Sequence, residues 1–245
     1  MASYRIYSFF LALAAAFQPL GGSAVTGGDT AAAFECRGNP LTPAAGAALL
    51  AEVQTTYGRT KTLRARFVQD SYLAALDASE RSGGQVWFEK PGKMRWEYES
   101  PETQLFVVRD ETVWLYQPAS NQVLIDRFRD VLISDLPVSF LMGLGSLSTD
   151  FTLRKACPTP AGGAVLELAP RAGGAQASSD ALAGFVLLVD AGRMPSGAKV
   201  VDVGGNITAI RLLEVTPNAA IDSARFNPDF PKGTDINDQR PQPGA

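Results

Sequence analysis

The chain has 245 residues, of which 46% are hydrophobic, and this length and composition favour one domain with a sizeable core. The formal net charge of −3 provides no basic surface for binding nucleic acid or anionic membranes. The sequence contains no histidine, so it lacks the usual general base and the commonest metal ligand, and we predict no catalytic residue, cofactor or metal site.

The N-terminus has the pattern of a secretory signal peptide. Arg5 supplies the positive charge, the run "IYSFFLALAAAF" supplies twelve apolar residues, and small residues follow. This run is too short to span a bilayer. Cleavage after Ala24 fits the pattern, and so does cleavage as late as Ala33. We therefore expect a signal peptide over 1–24, an exported chain, and one folded domain over 34–240.

Two cysteines follow the signal peptide region, and they are the only ones in the chain, Cys36 and Cys157. In an oxidising compartment they are candidates for one disulfide that ties the N-terminus to a strand, and two unpaired cysteines are the alternative. The residues before Cys36 are "AFE", which lack the Leu-x-small-small character of a lipidation site. We expect an unlipidated, soluble protein.

The segment "TPAAGAALLAEVQTTYG", residues 42–58, predicts a short amphipathic helix. A threonine cap and a proline in the first turn begin it, and Leu50, Val53 and Tyr57 have helical spacing up to Gly58. The next segment, "TLRARFVQDSY", alternates apolar and polar side chains and predicts the first strand.

A strand meander follows over residues 83–127, with tight turns at "PG", "SPET", "RDE" and "PASN". Its second strand, in "KPGKMRWEYESP", places Met94, Trp96 and Tyr98 on one side and charged residues on the other. The absence of any βαβ rhythm disfavours a parallel sheet.

The stretch 131–151 interrupts the strands with a very apolar helical segment. Asp135 is the expected cap, and the helix is expected to end at Gly143. Val138, Leu141 and Met142 fall on one face of it. Five more strand patterns follow, from "FTLRKAC" to "NITAIRLLEV". The stretch 171–184 has the composition of a flexible loop, and 241–245 that of a disordered tail.

An ordered set of these segments resembles one protein family. The set consists of the signal peptide, "ARFVQ", "GGQVWFEKPGKMRWEYESPETQLFVVRDETVWLYQPASNQV", "LPVSFLMG" and "FNPDFPKGTDI". Together they are similar to LolA, the periplasmic outer-membrane lipoprotein carriers, over roughly residues 42–240. The block "KPG", "MRWEY" and "ETVWLY" is the most specific part.

The resemblance implies a mainly β fold with a few short helices. This fold is an unclosed antiparallel β-barrel, a strongly curved sheet of ten or eleven strands, with a helical lid over a hydrophobic cavity. Helices over 42–57 and 135–143 would form the lid. The cavity would shelter the acyl chains of a lipoprotein as it crosses the periplasm from the inner to the outer membrane.

Matching positions identify candidate residues for this cavity. The sheet would contribute Met94, Trp96 and Tyr98, the first helix Val53 and Tyr57, and the second helix Val138, Leu141 and Met142. Ordinary core packing is the alternative for each of them. Lys90 stands where the family commonly has an arginine that bonds the lid backbone, and it is the candidate latch. Lysine keeps the charge but lacks the planar fork.

The resemblance also implies partners. These are acylated outer-membrane lipoproteins, the inner-membrane lipoprotein-releasing ABC transporter complex and an outer-membrane acceptor protein, with the carrier itself a monomer. Two alternatives stand beside this interpretation. One is a related carrier or sensor for another lipid, such as a glycolipid. The other is a periplasmic enzyme that uses carboxylates, for which the sequence offers no acidic pair.

Overall fold

The structure is a computed structural model that describes residues 32–128, 146–171 and 182–240. These ranges contain helices α1, Pro43–Arg59, and α2, Leu147–Asp150, together with one sheet of twelve strands. In chain order the strands are β1 Thr62–Leu73, β2 Ala78–Glu89, β3 Lys93–Ser100, β4 Gln104–Arg109, β5 Thr112–Gln117, β6 Gln122–Arg127, β7 Phe151–Pro158, β8 Ala164–Pro170, β9 Leu182–Val189, β10 Pro195–Asp202, β11 Ile207–Pro217 and β12 Asp235–Asp238.

The sheet has the spatial order β12-β6-β5-β4-β3-β2-β1-β11-β10-β9-β8-β7. All neighbours pair antiparallel except β12, which lies parallel to β6. The outermost strands, β12 and β7, do not pair with each other, so the sheet is not closed into a barrel. This confirms the predicted fold class. The sheet has twelve strands where ten or eleven were expected.

The two faces of the sheet differ in how far their side chains are buried. In β3 the burial alternates as predicted, with Met94, Trp96 and Tyr98 buried and the charged residues between them more exposed. We call the face that carries these three side chains the inner face. The opposite one is the outer face.

Helix α1 packs on the inner face. The Thr42 side chain accepts a hydrogen bond from the Ala45 amide, and proline occupies the first turn, as the pattern predicted. The helix ends at Arg59, one residue beyond the predicted Gly58. Its buried residues Leu49, Leu50, Val53 and Tyr57 belong to one apolar cluster with the inner face.

Several predicted segments lie outside the described residues. They are the signal peptide 1–24, the lid helix 135–143 and the tail 241–245. The predicted flexible loop 171–184 was too long, because residues 182–184 already belong to β9. Leu182 pairs with Asp202 of β10 and Gly184 with Val201, and this pairing draws the end of the predicted loop into the sheet.

The C-terminal segment covers part of the outer face. Phe226 is fully buried there, and the Arg225 guanidinium lies 4.4 Å from the centroid of the Trp87 ring. Phe230 contacts Tyr116 with ring centroids 5.3 Å apart. The segment "FNPDFPKGTDI" therefore covers part of the side of the sheet opposite to α1.

The N-terminal segment reaches the other edge of the sheet. Cys36 is bonded to Cys157 of β7, with the two Cα atoms 5.5 Å apart, and the Leu41 amide donates to the Ala156 carbonyl at 2.8 Å. Phe34 is buried. With its sulfur in a disulfide, Cys36 has no thiol available for acylation. Across the described parts of the chain, no helix is long and apolar enough to cross a membrane.

Candidate functional site

Two rows of apolar side chains cross the inner face of β1–β5, and we call them the apolar wall. Directly opposed residues of antiparallel strands project from the same face, so the strand register defines each row. Every member is buried except Leu115, which is partly buried against the same cluster. The first row is Leu63, Phe88, Met94, Val108 and Val113, and the second is Ala65, Val86, Trp96, Phe106 and Leu115.

Aromatic rings form the centre of this surface. The Phe67 ring lies 4.6 Å from Trp96 and 5.0 Å from Tyr98, centroid to centroid, the second pair edge to face. Phe88 contacts Trp96 at 6.2 Å, also edge to face. Such pairs contribute about 0.5–1.5 kcal/mol each beyond their buried area. The rings therefore fix the shape of the surface on which α1 lies.

The structure brings five of the eight predicted cavity residues together. Met94, Trp96 and Tyr98 lie on the inner face, and Val53 and Tyr57 of α1 belong to the same apolar cluster. All five are at most 2% exposed. The other three predicted residues, Val138, Leu141 and Met142, lie outside the described part of the chain.

Lys90, the predicted latch, contacts the last turns of α1. Its ammonium donates a hydrogen bond to the Tyr57 carbonyl and lies 3.7 Å from the centroid of the Tyr57 ring. Partial burial lowers the pKa of Lys90 from 10.5 to about 8, because desolvation disfavours the charged form. The Tyr57 carbonyl also accepts from the Thr60 amide at 3.1 Å. The cation thus joins the β2–β3 turn to the end of the helix.

Two further side-chain contacts attach α1 to the rest of the fold. The Gln54 side chain accepts from the Leu147 amide of α2 at 2.8 Å, and Glu52 pairs with Arg193 at 2.8 Å. The Glu52 pair is exposed at the surface, where an ion pair adds at most about 1 kcal/mol. At the start of the helix, Gly46 lies close to Leu153, since a Cβ there would be 3.0 Å from a Leu153 methyl.

The inner face becomes polar beyond the apolar wall. The buried Tyr98 hydroxyl donates to Gln69 Oε1 at 3.0 Å, and Gln69 Nε2 donates to the Ser71 hydroxyl at 3.0 Å. Burial raises the pKa of Tyr98 well above its usual range, so the phenol is neutral. Gln104, opposite Tyr98 in the register, is buried as well. Sequence reasoning missed this polar group, because single Gln and Ser residues in strands resemble solvent-facing positions.

The chemical character of the site is that of an apolar surface covered by a helix. Among residues 32–128, 146–171 and 182–240, no three potential metal-ligating side chains lie together. Lys90, at the end of the covering helix, contacts a backbone carbonyl and an aromatic ring. The wall and α1 together bury a continuous apolar surface that has the chemistry to contact an apolar group.

The sequence of this chain is similar to those of known proteins. Residues 58–229 match the family model described as outer membrane lipoprotein carrier protein LolA. An outer-membrane lipoprotein carrier protein of Azotobacter vinelandii is 31% identical over 180 residues, which cover 73% of this chain and 82% of that protein. A protein of the same name from Pseudomonas paraeruginosa is 28% identical over 202 residues, covering 81% and 92%.

The fold also has a counterpart among solved structures. An uncharacterized conserved protein from Thermus thermophilus superposes with a TM-score of 0.50 at 16% identity, covering 80% of this chain and 99% of that one. At this level of identity the similarity concerns the fold alone.

Proposed function

The chain belongs to the LolA family of outer membrane lipoprotein carrier proteins, and on this premise we propose that it is a periplasmic lipoprotein chaperone. In this proposal the protein has no catalytic activity. It carries lipoproteins from the inner to the outer membrane and shelters their acyl chains between the apolar wall and a lid that includes α1. It acts as a soluble monomer.

The observation that carries the proposal is the apolar wall lying directly under helix α1. Exposing an acyl chain to water costs about 0.8 kcal/mol per CH₂, so a lipoprotein cannot leave its membrane without an apolar shelter. A close-packed interior has no room for such a chain, so α1 must move away from the wall on loading. In such a movement the contacts that Lys90, Leu147 and Arg193 make with α1 would break.

The proposed partners follow from this transport step. The inner-membrane lipoprotein-releasing ABC transporter complex supplies the acylated lipoprotein, and an outer-membrane acceptor protein receives it. The carrier has no energy source of its own, so the direction of transfer depends on an affinity that increases along the route. The empty carrier regains the contact between α1 and the wall after release.

A matched pair of leucines gives a sharp test. Leu115 projects from the inner face and Leu105, on the neighbouring strand, from the outer face, and both are partly buried. Leu115→Gln should reduce loading of lipoprotein, because it places an amide on the acyl-binding surface. Leu105→Gln should leave loading unchanged. Urea unfolding of both variants checks that each is folded.

The assay measures release of a triacylated lipoprotein from inner-membrane vesicles into the soluble fraction, with and without an outer-membrane acceptor. Mass spectrometry of the purified carrier identifies what it holds. A triacylated polypeptide is the expected cargo. If no lipoprotein becomes soluble the proposal is wrong, and if only a small lipid is recovered the protein carries that lipid instead.

A further inference from the structure

The inner face contains a polar group at the end of the apolar wall, and we call it the polar end. In β1, the inner-face residues after Phe67 are Gln69 and Ser71. In β4, the inner-face residue before Phe106 is Gln104. The register aligns these positions across the sheet, because Gln69 faces Ser82 and Gln104 faces Tyr98. A surface that holds acyl chains therefore ends in a band of hydrogen-bonding groups.

Most of this band is already paired internally. The Tyr98 hydroxyl donates to Gln69, and Gln69 donates to Ser71. Gln104 differs. The residue is only 7% exposed, and its side-chain oxygen Oε1 is fully buried and accepts no hydrogen bond from the part of the chain that the structure describes. Buried polar atoms in folded proteins are nearly always paired, so an orphaned acceptor calls for a specific explanation.

We propose that Gln104 Oε1 is a ligand-binding acceptor that takes the amide N–H of the N-acylated cysteine of a lipoprotein. This inference rests on the proposed function and adds a recognition site to it. The acyl chains lie on the apolar wall, and the linkage between chains and peptide lies at the polar end. Tyr98 and Gln69 hold the neighbouring surface in place through their mutual hydrogen bond.

The chemistry of the linkage selects the amide. An ester that joins a fatty acid to glycerol offers only acceptor oxygens, and these cannot pair with a carbonyl oxygen. A secondary amide offers one N–H donor, which matches the orphaned oxygen. The site would therefore favour a lipoprotein whose acylated cysteine nitrogen carries a hydrogen over one in which a methyl group replaces that hydrogen.

Two synthetic lipopeptides test this site directly. Both carry S-diacylglyceryl and N-palmitoyl groups on the cysteine, and in one of them the acylated nitrogen is methylated and has no hydrogen. Affinity is measured for the intact chain and for Gln104→Met, which keeps an unbranched side chain of similar length without the carbonyl. The intact protein should bind the N–H form about tenfold more tightly, the value of one hydrogen bond to a buried acceptor. Gln104→Met should bind both forms equally.

The outcomes separate this inference from the proposed function. Tight binding of both lipopeptides with no preference in the intact protein would overturn the role of Gln104 and leave the carrier function standing. If Gln104→Met still prefers the N–H lipopeptide, another acceptor binds this N–H and the inference is wrong. Binding of neither lipopeptide would overturn both.

Unfolding of the empty protein gives a second, independent test. Removal of an unpaired buried acceptor should leave the urea midpoint of Gln104→Met unchanged or higher. A clear fall of the midpoint would show that Gln104 makes a structural hydrogen bond, and this result would also overturn the inference.

Discussion

Removal of the Cys36–Cys157 disulfide should destabilise the protein by a predictable amount. The bond joins residues 121 positions apart, and closing a loop of that length in the unfolded chain corresponds to about 5 kcal/mol at 25 °C in the chain-entropy model. We expect a smaller loss, about 2–4 kcal/mol, in the variant Cys36→Ala with Cys157→Ala. The N-terminal segment can detach locally, since without the bond it is held mainly by the buried Phe34 and the hydrogen bond from Leu41 to Ala156.

Urea unfolding followed by circular dichroism measures this loss. With a urea dependence of about 2–3 kcal/mol per molar, a loss of about 3 kcal/mol lowers the midpoint by about 1–1.5 M. The matched control is the intact sequence unfolded in reductant. Its midpoint should coincide with that of the double variant in the same reductant, because both chains then lack the covalent link.

One result would refute this reasoning. If the double variant unfolds at the same urea concentration as the oxidised protein, the link does not restrict the unfolded chain, or the segment 32–41 is not docked in the native state. A midpoint that falls in the variant but not on reduction would instead assign the loss to the side chains. Cys157 is buried, so its truncation also leaves a small cavity.

Three further changes have expected outcomes. The folded-state pKa of Lys90 is lowered to about 8, so between that pH and 10.5 the unfolded chain binds a proton that the folded chain does not, and the free energy of unfolding should rise with pH. Urea midpoints measured across this pH range should show the rise for the intact protein and no rise for Lys90→Met. Parallel curves of midpoint against pH for the two proteins would contradict this expectation. Gly84→Ala should destabilise strongly or prevent folding, because its Cβ would lie 1.9 Å from the Glu97 carbonyl oxygen; soluble yield and thermal unfolding test this. Tyr98→Phe should lower the free energy of unfolding by about 1–3 kcal/mol, because it leaves the buried Gln69 oxygen without its donor. Adding Gln69→Leu to the same chain should recover part of that loss. Such a recovery would exclude a cavity as the cause of the loss.

The sequence predicted the local elements well where one face is buried. In β3 the alternation alone placed Met94, Trp96 and Tyr98 on the buried face, because the period of two is a property of the strand itself. The cap at Thr42 and the proline after it located the start of α1 within a residue. These signals are contained in a few consecutive residues and need no knowledge of the rest of the chain.

Contacts between distant segments could not be predicted in this way. Strand β12 is short and polar, and it becomes a strand by pairing with β6, more than a hundred positions earlier. The orphaned oxygen of Gln104 depends on which neighbours bury it, which a single glutamine in "QLFVVR" does not reveal. The family resemblance predicted that Lys90 contacts the backbone of the lid. The structure identifies the Tyr57 carbonyl of α1 as the group that Lys90 contacts.

The parallel strand β12 gives one edge of the open sheet features that disfavour self-association. An unclosed sheet exposes unpaired backbone groups at its edges, and such groups readily recruit a strand from another molecule. Here β12 covers the edge of β6 and presents Asp235 and Asp238, with Arg240 paired to Asp238 at 2.6 Å. Charges of this kind disfavour the addition of a further strand. In the proposed carrier, the short charged strand β12 therefore disfavours edge-to-edge pairing of neighbouring molecules at this edge of the sheet.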